Sequence, residues 1–208
     1  MSEYLVPFED VESEFVEKRS RFICHLWHVE CVAEARARIE EMKMKYYDAR
    51  HNCWCYLLKE GNVVRYSDDG EPQGTAGQPM LNVFQREGVE NVCCVVTRYF
   101  GGILLGAGGL VRAYAHAAKL AVDAAQRKVM SPAVLVEMQM DYNQYGRINN
   151  VLSKYTAIVQ DTAFTDMVTM RILFIERDVE AFRAELTEMT AATVEAVEVE
   201  RLMGEFPL

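Results

Sequence analysis

The sequence predicts a two-domain α+β protein, and three observations carry that prediction. The last third of the chain reads strand, helix, strand, strand, helix, strand, the βαββαβ order of ferredoxin-like domains. Ser131-Pro132 interrupts the helical pattern before it, because proline removes a backbone donor and restricts the residue that precedes it. The 208 residues suffice for one large domain or two small ones, since domains cluster near roughly 100–150 residues. The expected domains are therefore 1–132 and 133–208.

Taken in order, residues 15–29 alternate and are rich in Phe, Ile, Val and Trp, which suits a strand, and 31–45 then carry apolar residues at helical spacing. Residues 52–58 and 63–66 are β-like runs joined by Glu60-Gly61-Asn62, a turn signal that predicts a hairpin. Residues 67–79 hold three glycines and two prolines and must be a loop; a helical pattern resumes near Met80 and ends by Gly88. Residues 92–99 form a continuous apolar strand, 101–109 a second glycine-rich loop, and 110–128 a long helix. Beyond Pro132 the pattern predicts a strand over 134–141, a helix over 144–155, strands over 157–164 and 168–176, a helix over 179–190 and a strand over 194–202. Asp178 and the stretch 141–143 offer N-caps.

Composition narrows the functional classes. No apolar run approaches the roughly 20 residues that span a bilayer, and residues 1–10 are acidic rather than basic, unlike the start of a signal peptide. Six scattered cysteines do not make a secreted disulfide framework, so a reducing, cytoplasmic setting is expected. The net charge is −9, but it is uneven: residues 1–132 carry 16 Lys/Arg against 18 Asp/Glu, and 133–208 carry 6 against 13. Within 91–128 five bases face one acid, Asp123, so an anionic partner should dock there.

Two loops can carry chemistry. The first, 67–79, places Asp68, Asp69 and Glu71 among glycines, with Thr75 beyond them. It reads either as a solvated turn whose carboxylates bond their own backbone or as a fixed site loop whose carboxylates do acid/base work or hold Mg²⁺. The second runs from Arg98 and Tyr99 through Gly101, Gly102, Gly106, Gly108 and Gly109, follows a buried strand and opens a helix. A helix N-terminus has unpaired donors and partial positive charge, which favours phosphate, and Arg98 and Arg112 add charge; close packing of loop against strand demands glycine equally. The spacing is neither the Walker form nor the dinucleotide fingerprint. His51, Cys53 and Cys55 share one strand face, so a zinc site or a Cys/His nucleophile pair is conceivable, while buried free thiols commonly act as small hydrophobes. Among the aromatic residues, Tyr99 is the candidate for stacking on a base.

Lys18-Arg19-Ser20-Arg21-Phe22-Ile23, His51-Asn52-Cys53-Trp54, Ser67-Asp68-Asp69-Gly70-Glu71-Pro72 with Gly74-Thr75-Ala76-Gly77, and Val95-Val96-Thr97-Arg98-Tyr99-Phe100-Gly101-Gly102-Ile103-Leu104-Leu105-Gly106 together resemble the IMPACT/YigZ family. Four blocks in the same order are specific, and they cover about residues 10–125. The resemblance implies that the first domain has the fold of ribosomal protein S5 domain 2, and that the second is similar to domain five of the ribosomal translocase. It implies the short bacterial form of a family whose eukaryotic members are implicated in restraining a kinase that controls translation initiation, and hence a translation-linked regulator. It also implies that His51, Asp68, Asp69, Glu71, Thr75, Arg98, Tyr99, Gly101, Gly102 and Arg112 share a cleft. Cys55 departs from the smaller residue expected in its strand.

Three functions follow as expectations. The first is a monomeric, translation-linked binder of RNA or the ribosome through the glycine-rich anion site. The second is a nucleotide- or phosphate-ester-using enzyme whose acidic loop is catalytic or holds Mg²⁺ at Asp68, Asp69 and Glu71, because small-molecule kinases of the same fold type place a glycine loop comparably. The third is an adaptor that docks a translation-related protein on the acidic second domain.

Overall fold

The computed structural model describes residues 3–207; residues 1, 2 and 208, which fall within the expected domain limits, lie outside the described residues. The chain forms two compact units, one of residues 4–128 and one that contains 129–208, so the division falls four residues before the expected one. Each unit has its own core.

The first unit opens with β1 (Tyr4–Pro7), β2 (Val11–Glu17) and β3 (Ser20–His28), followed by α1 (Val32–Lys45). The single strand expected over 15–29 is instead a hairpin. Its register pairs Glu17 with Ser20, leaving a two-residue turn of Lys18 and Arg19 at φ 45° and 65°. Such a turn needs positive φ at both positions and usually recruits Gly, Asn or Asp, so Lys-Arg gave no turn signal. The predicted second hairpin is present as β4 (His51–Leu58) and β5 (Val63–Ser67), and α2 (Gly77–Glu87), β6 (Val92–Tyr99) and α3 (Ala107–Ala124) complete the unit.

The sheet has the order β2-β3-β6-β4-β5, with each of these pairs antiparallel. Central β6 is buried on both faces, which is why it reads as an unbroken apolar run. One face packs on α2 and α3 through Phe22, Leu26, Met80, Phe84, Leu110 and Tyr114. The other packs on α1 through Trp27, Ile39, Met42 and Val95. Cys24, Cys53, Cys55, Cys93 and Cys94 are buried in this sheet as free thiols, and Cys31, which precedes α1, is exposed. Burial pushes the Cys93 thiol up to about 12, and these five thiols pack as small hydrophobes.

The second unit follows the predicted βαββαβ order: β7 (Arg127–Met140), α4 (Tyr142–Leu152), β8 (Ala157–Phe164), β9 (Val168–Ile175), α5 (Glu176–Thr190) and β10 (Val197–Pro207). Strand β7 pairs with β9 and with β10, and β8 lies outside β9. The expected long helix ends at Ala124 because β7 already begins at Arg127 and runs through Ser131-Pro132. Pro132 is tolerated because pairing with β9 starts only at Ala133. Helices α4 and α5 cover one sheet face through Ile148, Val151, Val179, Phe182 and Leu186. Asp141 caps α4 in a full capping box with Gln144. Asp178 is not the cap of α5, which begins two residues earlier; its carboxylate accepts the Thr156 N–H at 2.8 Å instead.

Candidate functional site

Two close approaches shape the glycine loop between β6 and α3. A Cβ on Gly101 would lie 1.9 Å from the Arg19 carbonyl carbon, so only glycine lets this loop rest on the β2–β3 turn. Ser20 Oγ, beside that turn, accepts both the Gly101 N–H and an Arg98 guanidinium N–H, each at 3.3 Å. Gly106 then occupies φ 72°, ψ 165°, a region essentially restricted to glycine, and stands as the N-cap of α3 with no side-chain cap. Among the described residues, the first-turn N–H groups of α3 thus have no side chain accepting from them.

The acidic loop is held by its own carboxylates. Asp68 Oδ1 accepts N–H groups from Ala76 and Gly77, each at 2.9 Å, and Oδ2 accepts that of Gly74 at 2.7 Å. Asp69, at φ 40°, accepts the Asn52 N–H at 2.7 Å, and its carbonyl accepts from His51 Nδ1 at 2.9 Å. Thr75 Oγ1 donates to the Pro72 carbonyl at 2.6 Å. Both readings of the loop thus meet in one geometry: a fixed loop, fixed by the carboxylates that were candidates for chemistry.

Glu71 is different, because it points into the core. Its Oε1 accepts from Arg98 Nη1 at 2.7 Å and from the Tyr114 hydroxyl at 2.9 Å, with the Arg98 and Glu71 side chains only 7% and 3% exposed. Cys53 Sγ donates to the Asp68 carbonyl at 2.9 Å and lies 3.4 Å from the Tyr114 hydroxyl. Burial, and after it the neighbouring Glu71 and Cys53, drive the Tyr114 hydroxyl far above its ordinary value, and burial raises the Cys53 thiol likewise. Arg98 also lies 5.6 Å from the ring centroids of Phe22 and Phe100, and its Nε is buried with no hydrogen-bond partner among the described residues. The Arg98–Glu71 pair therefore ties the two loops together.

Two cavities flank the glycine loop. One, of about 320 Å³, is lined by His51, Glu71, Arg98, Gly106 and Ala107 together with Arg50, Pro72, Phe100, Leu104, Leu105 and Leu110. The other, of about 220 Å³, has Lys18, Arg112 and His116 around Phe15, Leu105 and Gly109, with Glu17 as the carboxylate in its lining. Arg112 and Gly108 are exposed on the first turns of α3, and Gly102 sits at φ 83° in the loop. Tyr99 is half-buried and donates to Asp48 at 2.7 Å; burial and that bond push its hydroxyl up to about 12. The exposed ring beside the loop belongs to Phe100, at 49%. Among the described residues no group of three His, Cys, Asp or Glu side chains is placed to hold a metal ion.

Sequence reasoning missed Lys18, Arg19 and Arg50 as surface cations of this site. They are exposed, and like Arg112 they make no ion pair or side-chain hydrogen bond among the described residues. Arg21, Arg38, Lys43, Lys45, Lys59, Lys119 and Arg127 of the same unit are each paired with a carboxylate. Arg36, Arg65 and Arg86 also lack one but line neither cavity. The hairpin between Lys18 and Arg19 was the missing signal, since only the turn brings them to Gly101.

The family described as Impact N-terminal domain matches residues 18–122, and a second one, described as Domain of unknown function (DUF1949), matches 138–193. An "IMPACT family member" of Haemophilus influenzae is 37% identical over 92% of the chain and 94% of that protein. "IMPACT family member YigZ" of Escherichia coli is 32% identical over 96% of the chain and 100% of that protein. A crystal structure titled only as that of a hypothetical protein superposes with a TM-score of 0.61 at 32% identity, covering 96% of the chain and 98% of its own. Among the described residues no helix is long and apolar enough to cross a membrane.

Proposed function

The chain belongs to the IMPACT family, and on that premise we propose that it is a cytoplasmic regulator of translation that binds RNA, free or on the ribosome, at the surface around the N-terminus of α3. The observation that carries the reading is a group of exposed cations that are unpaired among the described residues. Lys18 and Arg112 in one cavity and Arg50 in the other flank an uncapped helix N-terminus, with the Arg19 backbone against Gly101, in a chain whose net charge is −9. A partner that neutralises them has to be anionic, and phosphates suit both isolated cations and open backbone N–H groups. Phe100 offers a ring for stacking. Arg98 acts from below, by holding the glycine loop against Glu71 and Ser20.

The enzyme alternative stands lower on the same geometry. A Mg²⁺ ion at Asp68, Asp69 and Glu71 would compete with the donors already on those carboxylates: three backbone N–H groups on Asp68, the Asn52 N–H on Asp69, and the Arg98 guanidinium and Tyr114 hydroxyl on Glu71. The test is co-sedimentation with ribosomes and binding of bulk RNA across a salt series, with wild type against Arg50→Ala/Arg112→Ala and Lys18→Ala/Arg19→Ala. Binding that weakens with salt and falls in both variants supports the reading. Absence of binding at low salt overturns it.

A further inference from the structure

We infer that the cavity between the Lys18-Arg19 turn and α3 seats one phosphoribose unit of the RNA, its phosphate on Lys18, Arg112 and His116 and its 2′-hydroxyl on Glu17; this rests on the RNA-binding reading and deepens it. The cavity has about 220 Å³, below the roughly 300 Å³ at which pockets for whole small molecules begin. It therefore suits one link of a chain. Phe15, Leu105 and Ala113 form its apolar walls, and the His116 ring meets Phe15 edge to face at 4.9 Å.

Strain in the turn points to function independently of charge. Of the residues other than glycine with positive φ described in this unit, Asn62, Asp69 and Asn91 are of types that tolerate it, whereas Lys18 and Arg19 are not. Two such residues in succession cost stability that Asn-Gly would not, and strain of this kind persists where function requires it. The turn is held nonetheless, with Gly101 against the Arg19 carbonyl and the Gly101 N–H donating to Ser20 Oγ. What the strained turn supplies is a cation at each of its two positions, neither of them in an ion pair among the described residues. Lys18 belongs to the cavity lining, where Arg112 joins it, likewise unpaired.

Glu17 decides the kind of nucleic acid. It is exposed, lines the same cavity, and makes no ion pair among the described residues. Lys18 and Arg112 outweigh this one carboxylate, so the lining stays net cationic. A carboxylate beside a phosphate site still opposes the phosphate, unless it accepts a hydrogen bond from the same ligand. The ribose 2′-hydroxyl is the donor that a sugar-phosphate backbone offers, and it is present in RNA and absent from DNA.

Fluorescence anisotropy with the full chain compares one single-stranded RNA with a DNA of the same sequence, deoxyuridine included, so that only the 2′-hydroxyls differ. The RNA should bind about tenfold tighter, the effect of one charge-assisted hydrogen bond, and Glu17→Ala should bring the two to one affinity. Lys18→Asn/Arg19→Gly, which gives the turn the residues it prefers, should weaken RNA binding about tenfold or more and raise Tm by about 2–4 °C. Binding lost while stability rises separates a ligand site from a damaged fold. Equal affinities for RNA and DNA in wild type, a preference that survives Glu17→Ala, or a turn variant that binds like wild type or unfolds at a lower temperature overturns the inference and leaves the RNA reading standing. Failure of the RNA to bind at low salt removes the RNA reading and the inference with it.

Discussion

Glu71 and Arg98 form a buried pair, and burial sets what each substitution does. Glu71→Ala leaves a guanidinium in the core with only Ser20 as a hydrogen-bond acceptor, and breaking such a pair costs about 3–5 kcal/mol. Thermal unfolding should show that loss, and the double variant Glu71→Leu/Arg98→Met should recover much of it; a double variant no better than the single one would mean the pair is not the unit. His25 gives a pH-dependent counterpart. It is 5% exposed, stacked on Trp27 at 5.6 Å and bonded to Tyr46, and burial lowers its pKa, opposed by Glu12 and Glu41 and assisted by Lys45. The unfolded chain, with His near about 6.5, therefore takes up the proton first, and stability should fall as the pH drops through that value toward the folded one. Tm measured at pH 7.5 and 5.5 should drop further for wild type than for His25→Gln. Neither role was legible in the sequence: Arg98 and His25 carry the same letters whether they face solvent or core, and only the pairing of their strands decides.

Elements were more legible than residues, because periodicity reports burial and burial is what organises a strand or a helix. β6 and the whole βαββαβ order of the second unit were readable, as was an N-cap for α4 within 141–143, where Asp141→Ala should cost about 1 kcal/mol in a urea titration. The β2–β3 turn was not, for want of Gly, Asn or Asp at Lys18 and Arg19. The acidic loop was legible as a loop, though not what its carboxylates do. Asp68→Ala would leave the N–H groups of Gly74, Ala76 and Gly77 without their acceptor, a loss on the order of 3 kcal/mol. Hydrogen exchange should then quicken over 68–77, and unchanged protection there would show that the loop does not depend on this side chain.

At the scale of the molecule, charge is the property the sequence reports and folding redistributes. A net charge of −9 argues against nucleic acid until the pairing of individual cations is known. If Lys18, Arg19, Arg50 and Arg112 each neutralise one phosphate of single-stranded RNA, log K should fall with log salt at a slope of roughly −3. Each of these cations removed should flatten it by about 0.7. A slope near zero would mean that the contacts are not ionic. The distribution of thiols has a separate, practical consequence. With Cys31 exposed and the other five sunk in one sheet, the folded chain is chemically univalent toward maleimides: it should take up one dye per molecule when native and six after denaturation. That dye would sit at the start of α1, on the sheet face opposite α3. The wild-type protein thus comes with its own attachment point for tethering or single-molecule work, remote from the glycine loop.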